Sequence, residues 1–93
     1  MHNGFLVHAA GDSVGVAVVD IEPGTAHGVI QEGGQTVEVE VVEPVPLGHK
    51  VALQDIEAGR LVTEYGVPIG KATQAIRAGQ HVHTHNLKSA RWA

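Results

Sequence analysis

Glycine and proline punctuate this chain so closely that no helix of ordinary length fits between them. There are 12 glycines and 4 prolines in 93 residues, and each costs a helix interior roughly 1 or 3 kcal/mol respectively. Between them lie short runs rich in valine, which suit extended backbone. Phe5-Leu6-Val7 reads as a short strand, and Ala10-Gly11-Asp12-Ser13 supplies the turn after it. Val14 to Ile21 reads as one buried strand, residues 25–31 as another, and Glu32-Gly33-Gly34-Gln35 as a tight hairpin. Thr36-Val37-Glu38-Val39-Glu40-Val41 alternates most clearly, with valines inward and carboxylates outward. Glu38 and Glu40 are therefore expected to be the solvent face of a strand rather than a catalytic pair.

Pro44 and Pro46 confine 43–47 to an extended linker or sheet edge. Asp20-Ile21-Glu22-Pro23-Gly24 is echoed by Asp55-Ile56-Glu57-Ala58-Gly59 and, more loosely, by Ala75-Ile76-Arg77-Ala78-Gly79. Each echo is an apolar anchor followed by a glycine, and strands are expected after the later two, over 60–64 and 80–85. Tyr65 to Thr73 carries two glycines and a proline, which fits loop and strand edge. The chain as a whole reads as one all-β domain, a barrel or clip.

Composition narrows the partners. The net charge is −4 and no basic cluster is present, which argues against nucleic acid and anionic membranes. With no cysteine, disulfides and thiolate metal sites are excluded. The N-terminus Met1-His2-Asn3-Gly4 lacks the basic and apolar regions of a signal peptide, so a cytoplasmic setting is expected.

Chemistry concentrates in His81-Val82-His83-Thr84-His85-Asn86-Leu87-Lys88-Ser89. On a strand, His81, His83 and His85 would project from one face. Neighbours at i and i+2 stand about 6.5–7 Å apart, close enough for two rings to share a metal, whereas the outer pair at about 13 Å needs a bulge. Further groups must come from elsewhere. Asn86 and Lys88 add an amide and a cation suited to an anionic, oxygen-rich ligand. His2 and His8 carry no spacing signal, and His27 reads as a surface or edge residue.

Three motifs in order are more specific than His-x-His alone: Gly-His-Lys-Val-Ala-Leu-Gln-Asp-Ile-Glu-Ala-Gly from Gly48, Tyr-Gly-Val-Pro-Ile-Gly-Lys-Ala-Thr from Tyr65, and Ile-Arg-Ala-Gly-Gln-His-Val-His-Thr-His-Asn-Leu from Ile76. Together they resemble the SAF domain of the altronate/galactarate dehydratase family. The resemblance implies a β-clip fold over residues 1–93, with short strands, long hairpins and at most one or two short helical turns. It also implies a subunit of a hydro-lyase or a carbon–sulfur lyase. Because the chain starts at a methionine and stops soon after Asn86, it looks like a small subunit that works beside a large catalytic (beta) subunit; a domain of a fused dehydratase, or a SAF module that only binds, is the alternative.

Such lyases remove a proton beside a carboxylate while a β-substituent departs, and a divalent cation would stabilise the charge that develops. By the resemblance, His83 and His85 are expected as catalytic groups and metal ligands, and Asn86 as a substrate group. His49, Lys50 and Lys88 complete the expected contacts to a small hydroxy-acid anion. His81 is expected to be structural or solvated. Imidazole favours a borderline ion such as Fe²⁺, the expected cofactor, over Mg²⁺.

Overall fold

The computed structural model describes residues 4–89; His2 and Trp92 lie outside them. Nine strands and no helix occur among the described residues: β1 (Phe5–Val7), β2 (Val14–Ala17), β3 (Gly24–Ile30), β4 (Thr36–Val41), β5 (Lys50–Ala52), β6 (Leu61–Glu64), β7 (Val67–Ala72), β8 (His81–Val82) and β9 (Leu87–Ser89). They form a six-stranded sheet in the order β4-β3-β1-β2-β5-β8 and a three-stranded sheet in the order β6-β7-β9. Among the described strands only β1 and β3 pair in parallel. The fold is all-β, and its long hairpin is β3–β4, closed by Gly33 and Gly34. On β4 the valines turn inward and Glu38 and Glu40 lie exposed, as the alternation predicts. Glu38 pairs across the strands with His27 at 2.9 Å, which makes His27 a surface partner.

Three turns of one design set the course of the chain. Val45–Gly48, Ile56–Gly59 and Ile76–Gly79 each bury the first residue and end on a glycine with φ between 85° and 88°. The amide of each glycine donates to a strand carbonyl at 2.8 Å, on Ala17, Ala72 and Ala52 in turn. The anchors pair as well: Ile56 bridges to Ile76, and Val45 to Ile21. Each turn therefore delivers the next strand, β5, β6 or β8, in a fixed direction.

Two segments outside the histidine stretch depart from the sequence expectations. The run from Val14 stops as a strand at Ala17, and Val18 and Val19 face solvent before Ile21 returns to the core through its bridge to Val45. Tyr65 to Thr73, expected as loop and strand edge, holds a six-residue strand, β7, at the centre of its sheet. Pro68 is tolerated there because β9 pairs only with Gly70–Ala72, and the partner strand β6 is irregular between Val62 and Thr63.

The interior is two clusters rather than one. The first gathers Phe5, Val7, Ala17, Ile21, Val41, Val45 and Val51 among others. The second holds Val14, Ala52, Ile56, Val62, Ala72, Ile76 and Val82. Adjacent residues of β5, Val51 and Ala52, enter different clusters because successive side chains point to opposite faces. The β5 strand is thus a wall covered on both faces at Val51 and Ala52, and these two neighbours are both apolar for that reason.

Gly79 tests the turn design most sharply. A Cβ there would meet the Glu40 carbonyl, and φ is already +88°. Gly59 has a φ of +85° with nothing within 4 Å of such an atom. Gly59→Ala should cost about 1 kcal/mol in urea unfolding, and Gly79→Ala about 3 kcal/mol or more, since backbone must also move. Equal losses would contradict this account.

Candidate functional site

The site grows from the pairing of β5 with β8, in which Lys50 opposes Val82 and Val51 opposes His81. Odd-numbered positions share one face of this ribbon, so His49 and His81 lie together, with His83 just past the end of β8. The even positions Lys50 and Val82 face the other way. His49 stacks on His83 with ring centroids 3.9 Å apart and planes 15° apart. His49 Nδ1 and His81 Nε2 stand 2.7 Å apart, so one nitrogen donates and the other accepts.

Strand geometry ends at Val82, which corrects the expectation of an extended 80–85. The chain instead turns over residues 83–86, with the amides of Asn86 and Leu87 donating to the His83 carbonyl at 3.1 and 2.9 Å. Asn86 holds this turn. Its Oδ1 accepts from the His83 amide at 3.0 Å and its Nδ2 donates to the His81 carbonyl at 2.8 Å. With the residue 3% exposed, the amide expected to meet substrate is used inside the protein. Turning here also folds His85 back, so its ring lies 5.0 Å from that of His81 instead of the four residues, about 13 Å, that an extended strand would put between them.

Among the described residues, the group whose ligand atoms all lie within 4.8 Å of one another is His49, His81 and His83. His81, expected to be structural or solvated, stands inside this group, and His85, expected as a ligand beside His83, stands next to it. His81 is held by its amide, which donates to Glu43 Oε2 at 3.1 Å. Its pKa lies below the ordinary histidine value, through desolvation first and then the neighbouring His85 and His49, with Glu43 opposing. That of His83 is lowered as well, by desolvation, His49, Lys50 and His85. Both shifts favour neutral imidazole, the form that binds metal. Three imidazole donors so close together suit a borderline divalent ion, and the donor set fits one.

Lys50 and Lys88 part company. On the even face of the ribbon, Lys50 lines an open pocket of about 330 Å³ with Glu64, Ile69, Val82, His83, Thr84, Leu87 and Ser89. Leu87 and Ser89 line it, whereas Lys88 between them opposes Lys71 across β7–β9. Lys88 thus stands apart from the pocket where its charge was expected. Glu64 and His8 are the residues that sequence reasoning passed over. Glu64 Oε2 lies 3.2 Å from His8 Nε2, and Glu64 Oε1 lies 3.9 Å from Lys50 Nζ. The available signal was a carboxylate two positions from the inward Val62; His8 had none.

The family profile for the altronate/galactarate dehydratase SAF domain matches residues 3–90. The chain belongs to this family. Within the SAF family, the chain is 43% identical over 90 residues to a protein of Chromohalobacter salexigens named (2R)-sulfolactate sulfo-lyase subunit alpha. That match covers 95% of this chain and 96% of the relative. A protein of the same name from Paracoccus pantotrophus is 50% identical over 48 residues, 52% of this chain and 72% of that one. The altronate dehydratase of Escherichia coli is 45% identical over 83 residues, 89% of this chain but 16% of the enzyme. A SAF domain therefore occurs both in a short subunit and as a small part of a long dehydratase. No helix among the described residues is long and apolar enough to cross a membrane.

A pH dependence follows from His81. Because its folded pKa is lowered, the unfolded chain binds the extra proton more readily. The resulting loss of stability begins as pH falls through the unfolded value of about 6.5 and levels off below the folded pKa. Above about pH 7 the group contributes no slope. The melting temperature of the wild-type chain should therefore fall more between pH 7 and 5.5 than that of His81→Gln. Parallel curves would show that His81 is not desolvated.

Proposed function

We propose that this chain is the small subunit of a two-subunit lyase acting on a short 2-hydroxy acid, with (2R)-3-sulfolactate the favoured substrate. The observation that carries the reading is the match to a sulfo-lyase alpha subunit along 96% of that relative. In the reaction a proton leaves C2, the C3–S bond breaks with its electron pair on sulfite, and the enol that remains ketonises to pyruvate. The chain's own side chains suit only part of this task. Three imidazoles gather on one face, and Glu43, beside His81, and Glu64, in the pocket that His83 lines, are each engaged with other groups. A large subunit would supply the base and the remaining oxygen donors.

His49, His81 and His83 would hold a divalent ion, for which Fe²⁺ is the favoured identity. When bound, such an ion lowers the cost of charge building on the substrate carboxylate. The protein's part is orientation. Asn86 fixes His83 and the His81 backbone through two hydrogen bonds, and Glu43 fixes His81 from the other side. These bonds fix the backbone from which the rings of His81 and His83 project. A second reading keeps the site and changes the leaving group to water, as in a dehydratase, and draws on the 45% identity to altronate dehydratase.

Co-expression with a candidate large subunit tests the proposal. The two chains should copurify, and only the complex should release pyruvate and sulfite from sulfolactate. Activity should fall on chelation and return with Fe²⁺. His81→Ala should still assemble while losing at least about a hundredfold in rate. Full activity from the large subunit alone would end the subunit reading; release of water from a sugar acid, with sulfolactate untouched, would select the second one.

A further inference from the structure

The pocket on the even face of the β5–β8 ribbon is separate from the imidazole face, with His83 shared at the rim. Its walls are of two kinds. Ile69, Val82 and Leu87 make an apolar side, and Lys50 and Glu64 bring opposite charges to the other. Those charges come from different sheets, Lys50 from β5 and Glu64 from β6. The Glu64 side chain is 12% exposed and that of Lys50 27%, so neither is an ordinary solvated charge.

What braces Glu64 lies behind it. His8 Nε2 is 3.2 Å from Glu64 Oε2, and the other ring nitrogen of His8 meets Gln31 Oε1 at 3.3 Å. Tyr65 stacks on His8 with centroids 3.7 Å apart and planes 11° apart. Tyr65 is itself pinned, at a φ of 60°, by the buried Asp12 carboxylate, which accepts from the amides of Tyr65, Gly66 and Ala9. One carboxylate oxygen of Glu64 is thus committed to His8. The other stays on the pocket side, 3.9 Å from Lys50, beyond hydrogen-bond range. An ammonium and a carboxylate oxygen so placed offer one group for an anion and one acceptor for a hydroxyl.

We propose that this pocket binds a small 2-hydroxy acid, with the Lys50 ammonium on its carboxylate, Glu64 Oε1 accepting its hydroxyl, and its carbon chain against Ile69, Val82 and Leu87. The inference rests on the proposed lyase reading for its relevance, but the binding belongs to this chain alone and needs neither metal nor partner. Glu64 is the residue that separates a hydroxy acid from the parent acid. A half-buried acceptor left without its hydrogen bond penalises the ligand that lacks the hydroxyl.

Amide spectra of the full isotope-labelled chain, recorded with chelator present, test this with sodium (R)-lactate and sodium propionate as probes. Lactate should shift the amides of Lys50, Glu64, Ile69 and Leu87 in a saturable way. Its affinity should exceed that of propionate by about tenfold or more. Lys50→Met should weaken both acids. Glu64→Met should bring the ratio of their affinities close to one, and Glu64→Gln, which keeps the side-chain length and a neutral acceptor, should leave an intermediate ratio. Should Glu64→Met fail to fold, the drop in Glu64→Gln decides. An unchanged ratio in the folded variants, or no saturable shift at the pocket amides of the wild type, overturns the proposal. Because chelator is present and the large subunit absent, this result stands whether or not the lyase assembles.

Discussion

The short antiparallel pairing of β5 with β8 carries the rest of the site. Two residue pairs, Lys50 with Val82 and Val51 with His81, fix which side chains meet on each face. A slip of β8 by one residue would carry His81 to the face of Lys50 and away from His49. The register is held from both ends. On one side Val51 and Ala52 are fully buried in separate clusters, and on the other Asn86 clamps the turn that ends β8. Burial of a side chain that spends both its amide atoms on backbone explains why so brief a strand holds its place.

A wall with two covered faces also has two functional faces. Imidazoles collect where the odd positions reach the surface, and the pocket opens where the even positions do. His83 belongs to both because it lies just past the strand, where the alternation ends. The sheets are tied across the pocket by the contacts of Glu64 with His8 and Lys50. Half-buried charges of this kind give less stability than their number suggests, since desolvation offsets the attraction. Their value here is orientation of groups at the pocket.

Much of the fold was legible because local chemistry and tertiary structure agree. The valines of Thr36–Val41 alternate for a half-buried strand, and the glycines closing the repeated turns hold the positive φ that their position requires. The strand after Val14 was overestimated because a valine run looks the same whether it stays buried or bends out. Val18 and Val19 are exposed, and only the long-range bridge from Ile21 to Val45 explains where the run ends. Histidine spacing misled for a related reason. It presumes extended backbone, and the hydrogen bonds of Asn86 convert residues 83–86 into a turn. The role of His49 depends on a partner 32 residues away, and the place of Glu64 on contacts with His8, just after β1, and Lys50 of β5 that no local pattern encodes.

The central claim is that His49, His81 and His83 act as one ligand set on one face of a rigid ribbon. Imidazole nitrogen spectra of the full chain, followed through a titration with Zn²⁺, test it directly. Ring nitrogens of these three residues should change together and reach a common endpoint at a single equivalent, with those of His8 and His27 unaffected. Independent endpoints for the three, or a change at His85 in place of His49, would contradict the account.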